Sequence, residues 1–158
     1  MTISMYDISV GVFSARLKAL ASVLTAAEQN AGERKIDPQV FLTARLAPDM
    51  FALARQVQIA TDHAKGAPSR LAGREVPKYD DNEASFAELQ ARIAKTLDHL
   101  TSFSAADLEG SEDRTVEVRL GGLCDRELTH DALWRDVRDL VDLCLEEPEV
   151  AVGPEHHP

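Results

Sequence analysis

Along the first thirty residues, Tyr6, Val10, Phe13, Leu17, Leu20, Leu24 and Ala27 recur at alternating steps of four and three. That spacing draws one apolar stripe along a long amphipathic helix of the kind that packs in a bundle. Gly32 reads as its C-terminal stop, and Ile36-Asp37-Pro38 restarts the chain. A short helical turn over 38–45 follows. Pro48 suits the first turn of a second long helix, with Asp49 favoured beside the N-terminal dipole. Its stripe runs Met50, Leu53, Val57, Ala60, Ala64, and Gly66-Ala67-Pro68 ends or bends it.

Residues 66–82, with two glycines, two prolines and Asp80-Asp81, read as a long connection. A third helix starts after Asn82 as cap, with Ser85 and Glu88 spaced as a capping box just inside. Phe86, Leu89, Ile93, Leu97 and Leu100 form its inner face, and 104–107 make one short turn. Over 115–120 the pattern switches to strict alternation and predicts a strand, either paired near 127–129 or lying along the bundle. Leu133, Val137, Leu140, Val141 and Cys144 then share one face of a fourth helix, which Pro148 ends. The expectation is an all-α, up-down-up-down four-helix bundle with one short β element before the last helix. Residues 1–147 form that single domain, and 148–158 a tail.

Composition changes little in this picture, and charge changes more. The chain of 158 residues suits one core that needs no disulfide or structural metal. Few aromatics and abundant alanine and leucine favour helix. The formal charge is −10, unevenly spread. Residues 1–122 hold 14 Lys and Arg against 17 Asp and Glu, whereas 123–158 hold 3 against 10. Such acidity argues against nucleic acid as a partner. No uninterrupted apolar run approaches a membrane span, and the N-terminus lacks the features of a signal peptide. Cys124 and Cys144 form no CxxC or zinc spacing, so a cytoplasmic protein with reduced thiols is expected.

No Walker loop, GxGxxG, GxSxG, HExxH or EF-hand pattern occurs. The strongest candidate for chemistry is His63, on the border of the second helix's inner face, with Arg55, Gln58 and Asp62 in a row beside it. Polar groups so placed along a bundle seam could hold a divalent metal or a small polar ligand. The plainer reading is a solvated helix edge on which Arg55 and Asp62 make local ion pairs, and spacing alone favours it. His99, at the end of the third helix, suits a protonated cap on the C-terminal dipole. His130 and Trp134 read as surface and packing residues, Cys144 as a small buried hydrophobe, and Cys124 as a loop thiol with only Arg126 to activate it.

Longer motifs carry a resemblance. The most specific is Ala44-Arg45-Leu46-Ala47-Pro48-Asp49-Met50-Phe51, continued by Leu53-Ala54-Arg55-Gln56-Val57-Gln58-Ile59-Ala60 and Asp62-His63-Ala64-Lys65-Gly66. With the start Met1-Thr2-Ile3-Ser4-Met5-Tyr6, and with Arg34-Lys35-Ile36-Asp37-Pro38, Arg70-Leu71-Ala72-Gly73, Phe86-Ala87-Glu88-Leu89 and 110–122, the chain resembles a bacterial family of unknown function. That family lies in the DinB-like (YfiT-like) superfamily. The resemblance implies a four-helix bundle, often a homodimer. It also implies a metal, zinc or nickel, held by one histidine on the second helix and two, i and i+4, on the last. Some members are thiol-dependent transferases or hydrolases. His63 matches the second-helix ligand, but the last helix has Trp134 four residues after His130, so the pair is missing. The motifs end at Gly122, and 123–147 read as a divergent last helix. The functional expectation is therefore a small-ligand or partner-binding bundle, with a metal- or thiol-dependent enzyme as the alternative.

Overall fold

The first stripe forms one continuous helical run in the computed structural model, which describes residues 4–119 and 125–128. A π-helical turn, Asp7–Gly11, leads directly into α1, Val12–Glu33. Val10, Leu17, Leu24 and Ala31 are buried along it, at the spacing the stripe requires. The helix does not stop at Gly32. Its last carbonyls are met instead by Lys35, whose φ of 54° lets Lys35 N–H reach Gly32 O and Ile36 N–H reach Ala31 O. A left-handed lysine carries a steric cost that a glycine would avoid.

α2, Pro38–Thr43, is capped by Asp37, whose carboxylate accepts from Gln39 N–H at 2.9 Å. The next long helix, α3, spans Leu53–Leu71 and begins five residues after Pro48. Pro48 and Asp49 lie in a turn, with Met50 N–H bonded to Ala47 O, while Leu53 N–H reaches back to Ala44 O at 3.1 Å. The 44–53 segment is thus a closed loop rather than a first helical turn. α3 also runs through Gly66 and Pro68, where an end or a bend is expected. Pro68 removes one hydrogen bond near the C-terminus, where the helix has little left to lose. The stop comes at Gly73, φ 65°, where Gly73 N–H meets Arg70 O and Arg74 N–H meets Ser69 O.

α4, Phe86–Thr101, is capped by Ser85 rather than Asn82. Ser85 Oγ accepts from Glu88 N–H, and Glu88 Oε2 accepts from Ala84 N–H. Phe86, Leu89, Ile93 and Leu100 are buried, and α4 lies against both α1 and α3. A 3-10 turn, Ala105–Leu108, closes on a capping box between Ser104 and Asp107.

The chain divides into two compact units after Glu112. In the second, β1, Val116–Arg119, pairs antiparallel with β2, Asp125–Leu128, so that Val116 faces Leu128 and Arg119 faces Asp125. The predicted strand therefore has a partner, one or two residues earlier than expected. The expected fourth helix and tail, with His130, Trp134, Cys124 and Cys144, lie outside the described residues.

One helix bears on the expectation about membranes. The helical run Asp7–Glu33 is long and apolar enough to cross a membrane by length and composition. Counting only uninterrupted apolar runs misses it, because Arg16 and Lys18 break the run while alanines keep the window apolar. Its stripe of Val10, Leu17, Leu24 and Ala31 is buried in protein.

Candidate functional site

Arg92 stands between Leu89 and Ile93 on the inner face of α4, and its side chain is 2% exposed. A buried guanidinium is tolerable only if its donors are met and its charge is balanced. Nε–H donates to Thr61 Oγ1 at 2.7 Å. Nη1 donates to Glu83 Oε1 at 2.9 Å and to Asp80 O at 3.0 Å. Nη2 donates to Asp62 Oδ1 at 2.8 Å and lies 3.0 Å from Asp81 Oδ1. One side chain thereby ties α4 to α3 and to the connection that joins them.

A second tier surrounds it. Lys65, also buried, donates to the Asp62 carboxylate, and its Nζ lies 3.9 Å from the centre of the Tyr79 ring. Lys95 and Arg92 approach the same ring at 4.2 and 5.2 Å. Arg55 pairs with Asp81 and donates to Gln58 Oε1, while Gln58 Nε2 donates to Glu83 Oε2. Three carboxylates thus face Arg92, Lys65 and Arg55.

Burial alone would raise the carboxyl of Asp81, but Arg55 and Arg92 outweigh it and hold it below its ordinary range. Glu83 is lowered in the same way, by Arg92 and Gln58 against the desolvation. The same partners raise Arg92 despite its own desolvation. Groups held so firmly ionised are poor proton donors or acceptors near neutral pH. Among the described residues no buried side-chain nitrogen or oxygen lacks a partner. This constellation is a polar strut with its bonding capacity used internally.

The structure brings together Arg55, Gln58 and Asp62 from the expected set and leaves His63 out. Asp62 turns towards Arg92 and Lys65, while His63, one residue on, is exposed. Protein packed behind its ring lowers the His63 pKa by desolvation; Asp62 opposes this and Arg70 adds to it. The described residues supply one metal ligand there, and no group of three His, Cys, Asp or Glu stands together among them. The residues that sequence reasoning missed are Arg92, Thr61, Lys65 and Glu83. Arg92 and Thr96 on an otherwise apolar stripe were the available signal, since a polar residue at a core position calls for a partner.

His99 does not act as a charged cap. Its Nε2 lies 2.9 Å from Ser69 Oγ, and its ring meets Phe103 edge-on at 5.1 Å. Ser69 Oγ also lies 2.7 Å from Lys65 O, and a hydroxyl has one proton to give. Both contacts are hydrogen bonds only if Ser69 donates to Lys65 O and His99 Nε2–H donates to Ser69. Desolvation, then Arg74 and Lys65, lower the His99 pKa and favour the neutral ring. The proton therefore points the wrong way for a Ser–His nucleophile, and Ser69 is fully buried.

The family described as "Domain of unknown function (DUF1993)" matches residues 5–135. That match runs past Gly122, where the motifs read from the sequence give out. A crystal structure of a DinB family member protein from Shewanella denitrificans is 34% identical. It superposes with a TM-score of 0.71, over 98% of this chain and 96% of that one. No curated protein matches.

Proposed function

The chain belongs to the DUF1993 family of DinB-like helical bundles, and from that premise we propose that it works by binding a partner, a second copy of itself. The observation that carries this reading is the closed loop between α2 and α3. Leu46 is 90% exposed and Phe51 60% exposed on it, and Val40 on α2 is 59% exposed. Large apolar side chains held in water on a pinned loop favour an interface. Residues 38–54 carry only Arg45 and Asp49 as charges, so the region is locally neutral within an acidic chain. One residue of each sign is also what a two-fold contact can use, with each copy's Arg45 near the other's Asp49. The polar set of Arg55, Gln58 and Asp62 serves the fold and leaves binding to this surface.

Sedimentation equilibrium tests the proposal. The wild-type chain is expected to dimerise, and the double variant Leu46→Asp, Phe51→Ser to weaken the dimer by about tenfold or more while keeping its helical spectrum. A monomeric wild type, or a variant that dimerises equally well, would sink it.

His63 favours a second reading. An exposed, neutral imidazole is the form that coordinates zinc or nickel, as a metal- or thiol-dependent transferase or hydrolase of this superfamily would require. Metal analysis of untagged protein is decisive: stoichiometric metal that disappears in His63→Ala supports this reading, and metal-free wild type counts against it.

A further inference from the structure

Among the described residues the strut takes up Arg55 and Lys65 of α3 but not Arg70. Arg70 is half-buried near the end of the helix, two turns beyond His63. No carboxylate, carbonyl or hydroxyl among the described residues accepts a hydrogen bond from its guanidinium. Desolvation lowers its pKa with no anion among the described residues to offset it, the opposite of Arg92. Exposed arginines such as Arg16 and Arg34 are solvated and need no partner. Arg70 has given up part of its water without gaining an anion among the described residues.

Gly66 shows that this placement is built in. A Cβ at position 66 would lie 2.4 Å from Arg70 Nη1 and 3.3 Å from Cζ. The guanidinium therefore lies back along the helix in the space that any other residue would fill. Glycine is the poorest helix former after proline. Nothing in the backbone asks for it here, since position 66 is inside α3 and has no positive φ. What it admits is the head of Arg70, on the same face as His63.

We propose that Arg70, seated on Gly66 beside His63, binds the oxyanion of a small-molecule ligand, a carboxylate or phosphate group. A planar fork of N–H donors matches either group in two parallel hydrogen bonds, and partial desolvation strengthens them. The site stands whether or not the chain self-associates.

The test is NMR of the arginine Nε–Hε resonances in the full chain, titrated separately with sodium phosphate and sodium acetate at constant ionic strength. A saturable shift of the Arg70 signal is expected, unchanged in Arg34→Gln. Binding followed through backbone amides of α3 is expected to weaken about tenfold or more in Arg70→Gln. Saturation by phosphate alone assigns a phosphate group; saturation by acetate assigns a carboxylate. Gly66→Ala is expected to raise the thermal midpoint, through helix propensity, and to weaken the anion by displacing the guanidinium. Linear shifts with both anions, or saturation that persists in Arg70→Gln, would overturn the proposal. Wild-type affinity in Gly66→Ala would overturn the part assigned to the glycine.

Discussion

Replacing Arg92 with methionine is expected to cost the fold about 3 kcal/mol. The substitution keeps most of the volume and removes the charge. It leaves Asp62, Asp81 and Glu83 converging on a site with no cation at its centre, and leaves the buried Thr61 hydroxyl without its donor. The low end of the range for breaking a buried pair applies, because Asp62 and Asp81 are 40% and 36% exposed and water screens them. The thermal midpoint should fall by roughly 6–12 °C for a chain of this size.

The pH dependence separates this account from simple mispacking. Asp81 and Glu83 have folded-state pKa values below their unfolded ones. Their contribution is fully present above the unfolded carboxyl range, about pH 4, and is lost as pH falls through the folded values. Protonation also relieves the repulsion in the variant. Denaturant titrations should therefore show the gap between wild type and Arg92→Met narrowing below about pH 4. A gap that ignores pH would mean that the loss is one of packing, not charge.

Leu89→Ala is the second large effect, again about 3 kcal/mol. Leu89 has no exposed surface, and α4 packs against both α1 and α3. A cavity there opens towards two neighbours, each held in place by further contacts, so collapse can recover little of the loss. Leu97, half-buried on the same helix, has water beside it and should lose less than half as much on the same truncation. Urea midpoints of the two variants make the comparison. Equal losses would remove α4 from the centre of the core.

Periodicity was legible where one face meets protein and the other meets water. The stripes of α1 and α4 turn inward as expected, with Val10, Leu17 and Leu24, and Phe86, Leu89, Ile93 and Leu100, buried, and Tyr6, Phe13, Leu20, Ala27 and Leu97 half-buried at their margins. Helix ends were less legible. Lys35 holds a conformation that glycine usually supplies, so no letter in the sequence marks it. Pro48 sits in a turn as comfortably as at a helix start, and only the Leu53 to Ala44 hydrogen bond distinguishes the two. The candidate site was half legible. Arg55, Gln58 and Asp62 share a face of α3, and their spacing shows that. Their partners Asp81, Glu83 and Arg92 lie 25 to 30 residues further on, a pairing that chain folding alone decides. His63 resembles a ligand by position, while its separation from the strut follows from the one-residue turn of the helix away from Asp62.

The helical run from Asp7 to Glu33 has a consequence for the order in which the protein is made. It leaves the ribosome before the other described helices, and it is the one among them whose composition would suit a membrane. Among the described helices its main partner is α4, which is not complete until residue 101. At usual rates of synthesis those 68 intervening residues take about 3–14 s. During that interval Leu17, Leu24 and Ala31 have no α4 to cover them, and the nascent chain offers an apolar helix to whatever lies near. Arg16 and Lys18, which flank Leu17 and are exposed in the folded chain, keep two charges on that helix while it waits.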